Sequence, residues 1–183
     1  MTTKILYRLL FFFVLVQSAV AQEINWMTIE EAVALQKNEP RKIFMDVYTN
    51  WCGPCKMLDK NTFHNPDVVD YINTNYYAVK FNAEGNSEVS YKGKTFSNPN
   101  YDPAKANRRN SAHEFTRYLR VTAYPTMVFF DEEANFIAPI SGYMKPRQIE
   151  LYLKLFKSDK YKEMTTQEQF NAYYKAFTPS FKE

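Results

Sequence analysis

Both cysteines of this 183-residue chain lie in one hexapeptide, Trp51-Cys52-Gly53-Pro54-Cys55-Lys56. A bridge across two intervening residues closes a very small loop and constrains the unfolded chain little, so stapling is a poor reason for the pair. Chemistry is a better one. The preceding segment, Lys42 to Tyr48 (KIFMDVY), is apolar and rich in strand formers, and a helical pattern starts at Cys52. A helix that begins there sets the Cys52 sulfur against unpaired backbone N–H groups and the positive end of the helix dipole. Both favour the thiolate, which is the attacking form. Cys55 follows about one turn later, within reach of Cys52 and expected to be the more buried of the two. Gly53 and Pro54 keep the connection tight, and proline is tolerated in a first helical turn. The pair can then cycle: Cys52 attacks a disulfide, a mixed disulfide forms, and Cys55 releases the product.

Other uses of two cysteines fit less well. Zinc usually takes four ligands, and the only histidines, His64 and His113, make no metal-ligand pair in sequence. Covalent haem needs a histidine directly after the second cysteine, where Lys56 stands. No metal and no cofactor is therefore expected. An inert structural pair, or a binding module in which the cysteines merely grip a partner, stays open as the alternative.

The first residues bear on location. Residues 1–21 have a basic start (Lys4, Arg8), an apolar run from Leu9 to Val16 and the small-residue ending Ala19-Val20-Ala21. That is the layout of a secretory signal peptide, with cleavage expected between Ala21 and Gln22. The run is shorter than the roughly 20 apolar residues a spanning helix needs. No membrane span is expected after cleavage, and the mature chain is expected to be periplasmic or secreted. Losing Lys4 and Arg8 takes the formal net charge from +3 to +1. The balance is too even for a nucleic-acid surface; the one basic cluster, Asn107-Arg108-Arg109-Asn110, reads as a solvated turn.

Along the chain, Thr28 and Glu31 form a capping-box pattern that opens a helix over about 28–37. Asn65 and Pro66 restart a helix after the one that follows the cysteines. Residues 76–83, 126–131 and 135–141 read as strands and 145–156 as an amphipathic helix. Ser111 and Glu114 form a second capping-box pattern, with a short helix ending near Leu119. Thr166 opens a last helical stretch to about Phe177. Residues 85–110 lose the pattern apart from a possible hairpin turning at Lys92-Gly93. They read as an inserted surface excursion that a short linker could replace, either a passive loop or a recognition segment in which Tyr91, Phe96, Tyr101 and the two arginines meet a partner. Two strands joined through a helix imply a parallel pair, and two joined by a short turn imply an antiparallel one. The fold class is α/β, a central mixed sheet flanked by helices.

These features together resemble the thioredoxin superfamily, whose active-site motif is the hexapeptide quoted above. Asp46, six residues before Cys52, matches the family's buried acid, which helps deprotonate the second cysteine. Lys80 matches the lysine that interacts with that acid. Tyr124-Pro125-Thr126 matches the loop whose cis-proline faces the cysteines, and Gly142 matches a glycine near the last strand. The resemblance covers about 40–157 and implies a thioredoxin-like domain over 22–158, interrupted at 85–110 and followed by a helical extension over 159–183. It implies catalytic roles for Cys52, Cys55, Asp46 and Lys80, and substrate contacts from Trp51, Gly53, Pro54, Tyr124 and Pro125, with Trp51 as a lid. The stretch from Asp46 to Asn73 is more similar to exported thioredoxin-like proteins, and to the C-terminal periplasmic domain of transmembrane thiol:disulfide interchange proteins, than to cytosolic thioredoxin. Tyr48 stands where thioredoxins usually carry tryptophan. The implied activity is an exported thiol–disulfide oxidoreductase, reducing protein disulfides with electrons from a membrane-bound donor. An oxidant or isomerase on the same scaffold is the other direction open to it.

Overall fold

The computed structural model describes residues 23–183, so the expected leader and its cleavage point lie outside the described residues. Among the described residues there are seven strands: β1 (Trp26–Met27), β2 (Lys42–Tyr48), β3 (Tyr76–Asn82), β4 (Val89–Tyr91), β5 (Lys94–Phe96), β6 (Thr126–Phe130) and β7 (Phe136–Ser141). Six α-helices accompany them among the same residues: α1 (Ile29–Gln36), α2 (Gly53–Asn61), α3 (Pro66–Asn75), α4 (Glu114–Tyr118), α5 (Pro146–Lys157) and α6 (Gln167–Ala176). Five strands make the central sheet in the order β1-β3-β2-β6-β7. β3 runs parallel to β1 and β2, whereas β6 is antiparallel to β2 and β7. The mixed α/β architecture is the one expected, with β1, two residues long, as an unforeseen edge strand.

β2 occupies the centre and is buried from Lys42 to Val47. Side chains alternate across a strand. Ile43, Met45 and Val47 join Val79, Phe81, Val128 and Phe130 in a cluster on one face. Phe44 joins Ala78, Met127 and Phe129 on the other, against Leu58 of α2, Ile72 of α3 and Ile149 of α5. The same alternation turns Asp46 toward α2, where the pattern would otherwise place an apolar residue. At the far end of β2, the fully buried Lys42 ammonium is held by Glu132 at 2.8 Å and Asp159 at 2.9 Å.

The helix caps follow local chemistry. Thr28 and Glu31 exchange the capping-box bonds that start α1, and Asn65 accepts from the Asp67 and Val68 N–H groups to start α3. The expected Ser111 cap does not form. Ser111 Oγ donates to Asn98 Oδ1 at 2.7 Å, and the Glu114 carboxylate turns to the Ser97 N–H at 2.8 Å. His113 is fully buried and caps α4 through Nδ1, which accepts from Phe115 N–H at 3.0 Å.

The segment 85–110 is not a surface excursion. β4 and β5 form a hairpin around Lys92 and Gly93, both at positive φ, and its inner face is core. Val89, Tyr91 and Phe96 are buried in the cluster with Phe115 and Phe130. Tyr91 Oη donates to the Ala134 carbonyl, so neither Tyr91 nor Phe96 is available to a partner. Three-residue strands carry too little alternation to announce a buried face. Replacing Ser87–Arg109 by a linker is therefore expected to unfold the domain. Phe96→Ala is expected to cost about 3 kcal/mol or more, read from urea unfolding. A loss below about 1 kcal/mol, the scale of a surface change, would mean the hairpin is peripheral.

The C-terminal extension folds back. α6 stacks Phe170 on Tyr152, and Phe181 packs against Tyr71. The buried Glu150 carboxylate accepts from the Ser180 and Phe181 N–H groups, each at 2.8 Å. Burial works against its charge, but bonds from Lys154, Ser180 and Phe181 outweigh it and hold its pKa below the usual carboxylate range.

Candidate redox site

The cysteines sit where β2 ends and α2 begins. Cys52 is the N-cap of α2, and its Sγ accepts a hydrogen bond from the Cys55 N–H at 3.1 Å. Gly53 and Pro54 occupy the first helical positions. The two sulfurs are joined in a disulfide. Burial does not rank them as expected: Cys52 is 3% and Cys55 6% exposed. Their surroundings separate them instead. Cys52 lines one pocket with Trp51, Pro54, Glu84, Arg109 and Tyr124. Cys55 lines another with Asp46, Tyr48, Asp59 and Lys80.

The Cys55 side is built by register and helix period. Asp46 and Lys80 are direct partners across β2 and β3. Asp59 lies four residues after Cys55 in α2, on the same helix face. Lys80 Nζ bonds Asp59 Oδ1 at 2.5 Å and lies over the rings of Trp26 and Tyr48. The expected Lys80–Asp46 interaction is thus a through-space attraction, with the ammonium tied to Asp59 instead. Asp46 is buried, and its Oδ1 has no hydrogen-bond partner in the protein. Burial pushes its pKa to about 7; the Lys80 charge pulls it down and the Asp59 charge pushes it further up. A carboxyl in that state can take or give a proton near neutral pH beside Cys55. Burial likewise raises the Tyr48 phenol.

The Cys52 side is closed by three chain segments. The Tyr124–Pro125 peptide is cis, and Gly142 N–H donates to the Pro125 carbonyl at 2.9 Å. Gly142 has φ of 108°, a conformation that favours glycine, so this residue type suits the anchor. Tyr124 meets Trp51 edge-on, with ring centroids 6.2 Å apart. Trp51 Nε1 donates to Glu84 Oε2 at 2.7 Å, and the same oxygen accepts the Asn110 N–H at 2.8 Å. The Arg109 guanidinium lies over the Trp51 ring, 5.1 Å from its centroid. Asn50 Nδ2 ties the loop before Cys52 to the Ala106 carbonyl at 2.9 Å.

The sequence matches the thioredoxin-like domain family over residues 29–157. This chain belongs to the thioredoxin-like family. Among curated relatives, the thiol:disulfide interchange protein DsbD of Pectobacterium atrosepticum is 25% identical over 125 residues, 67% of this chain and 18% of the relative. DsbD of Vibrio vulnificus is 33% identical over 58 residues, 28% of this chain and 10% of the relative. The chain thus spans under a fifth of these relatives' own length. Among solved structures, a thioredoxin-fold protein from Helicobacter pylori superposes with a TM-score of 0.57 at 17% identity, covering 86% of this chain and 93% of that one. The DsbH oxidoreductase superposes with a TM-score of 0.51 at 20% identity, over 75% and 85%. These two likenesses bear on fold.

Within the thioredoxin-like domain, every site residue singled out from the sequence lies at one of the two pockets or on the cis-proline loop beside them. Three residues were missed. Asp59 was legible as the i+4 neighbour of Cys55. Glu84 carries no local signal, since only the fold brings it under Trp51. Arg109 belongs to the cluster read as a solvated turn, which instead touches the redox site.

Proposed function

We propose that this thioredoxin-like protein is an exported thiol–disulfide oxidoreductase that reduces protein disulfides through Cys52 and Cys55. The carrying observation is the Cys52–Cys55 disulfide at a helix N-terminus, with Cys52 turned to one pocket and Cys55 to a buried, proton-exchanging carboxyl. The Cys52 thiolate attacks a substrate disulfide, forming a Cys52–substrate bond and expelling one substrate thiolate. Asp46 takes the proton of Cys55. The Cys55 thiolate then attacks the Cys52 sulfur, closing the protein disulfide and expelling the second substrate thiolate. Two electrons pass to the substrate, so a dithiol donor must restore the protein, and a membrane-bound protein that passes electrons outward is that donor. Trp51, Gly53, Pro54, Tyr124 and Pro125 form the surface that receives the substrate chain.

The electrostatics favour the reducing direction. A strong oxidant owes its potential to a stabilised reduced form. Here one backbone N–H faces Cys52, and a buried carboxylate beside Cys55 disfavours a second thiolate. Export rests on the basic-apolar-small pattern of residues 1–21.

Equilibration with glutathione buffers, read by thiol alkylation and mass, is expected to give a potential nearer about −270 mV than about −120 mV. The protein should also accelerate insulin reduction by dithiothreitol. A potential at the oxidising end would reverse the direction. No acceleration of insulin reduction would remove the catalytic reading and leave a binding module.

A further inference from the structure

The return limb of the inserted hairpin segment reaches both pockets: Arg109 and Asn110 line the one that holds Cys52, and Asn107 lines the one that holds Cys55. Only two residues lining the Cys52 pocket carry charge, Glu84 and Arg109. They are not equivalent. Glu84 is 8% exposed, and its Oε2 is committed to Trp51 Nε1 and Asn110 N–H. Arg109 is exposed, with its guanidinium over the indole ring, and none of the ion pairs among the described residues uses it. Its neighbour Arg108 instead turns its guanidinium toward the Ala104 carbonyl at 3.3 Å. The stacking on Trp51, with Glu84 holding the Asn110 N–H and Asn50 holding the Ala106 carbonyl in the same limb, places Arg109 in the lining of the pocket that an incoming disulfide would enter to meet Cys52. A guanidinium so placed offers parallel donors that fit a carboxylate.

We propose that Arg109 is a specificity residue that selects disulfides flanked by an acidic side chain, Asp or Glu, in the substrate polypeptide. This rests on the reading of Cys52 as the attacking sulfur. The redox step is the one above: the peptide disulfide is reduced to two thiols as the Cys52–Cys55 dithiol is oxidised, and Arg109 contributes only to docking. The contact is solvent-exposed, so its effect is modest and screened by salt.

The test uses two synthetic peptides, each with one internal disulfide, identical except for Glu or Lys beside the cysteines. The pre-reduced protein is mixed with each in single turnover, and the second-order rate constants are read by acid quench and mass. The parent is expected to prefer the Glu peptide by about two- to fivefold at low salt, with the preference shrinking as salt rises. Arg109→Ala should bring the ratio close to one, and Arg109→Glu should invert it. Arg108→Ala removes the same charge from the same turn and should keep the parent ratio, which separates a local contact from net charge. An unchanged ratio in Arg109→Ala, or an equal loss in Arg108→Ala, overturns the proposal while leaving the redox reading intact. Failure of the parent to reduce either peptide overturns both.

Discussion

Cys55→Ser is expected to turn the protein into a trap, and Cys52→Ser is expected to silence it. With Cys55 gone, Cys52 can still attack a substrate disulfide, but nothing nearby displaces it. Cys52 and Cys55 are the only cysteines in the chain, so no other protein thiol can resolve the adduct. The mixed disulfide should accumulate to near one equivalent and be released only by added dithiothreitol. With Cys52 gone, the remaining thiol faces the Asp46 pocket rather than the Trp51–Tyr124 pocket, and a neighbouring carboxylate opposes its ionisation. Turnover in either variant should fall by a factor of at least about 10³, as expected when a nucleophile acting in a unit is removed. Intact mass under non-reducing conditions distinguishes the two. Adduct on the Cys52→Ser variant, and none on Cys55→Ser, would exchange the roles of the sulfurs. Parental turnover in either would end the dithiol mechanism.

What the sequence disclosed follows the range of the interactions. Thr28 with Glu31, Asn65 with Pro66, and the Lys92-Gly93 turn act within four residues, and each appears where its local pattern put it. β2 was legible because a strand covered on both faces reads as an unbroken apolar run. The Ser111 cap was misread for the same reason in reverse. Its side chain is drawn to Asn98, thirteen residues away, and His113 takes the cap. The core role of Tyr91 and Phe96 depends on α4 and β6 closing over a hairpin too short to show periodicity. Glu150, held by a tail thirty residues on, lies equally beyond local reading. At the site, the family motif located both cysteines, Asp46 and the proline loop. Lys80 lies opposite Asp46 as the parallel pairing requires, yet its ammonium goes to Asp59 on a helix the strand pattern does not describe. Arg109 could not be placed, because the ring it stacks on lies fifty-eight positions earlier.

Asp46 carries the second large effect, and it shows in stability as well as in rate. The folded protein holds this carboxyl's pKa near 7, against an ordinary 3.8, because it is buried. Below about pH 4 it is protonated whether the chain is folded or not, and it exerts no pH-dependent effect. Between pH 4 and 7 the unfolded chain releases the proton while the folded chain keeps it. Stability therefore falls with rising pH at about 1.4 kcal/mol per unit. The loss levels off above pH 7 at up to about 4 kcal/mol. Asp46→Asn removes this titration. Oxidised variant and parent should differ least at pH 4 and most at pH 8, where the variant is the more stable by a few kcal/mol. Urea midpoints at pH 4, 6 and 8 measure this. A variant that loses stability relative to the parent between pH 4 and pH 8 would show that a partner holds Asp46 ionised in the fold. The same substitution should slow the second step of the reaction, since an amide cannot accept the Cys55 proton. Release of the second substrate thiol should bend near pH 7 in the parent and lose that bend in the variant. Persistence of the bend at parental rate would place the proton acceptor elsewhere, leaving Asp46 as a destabilising charge with no part in resolution.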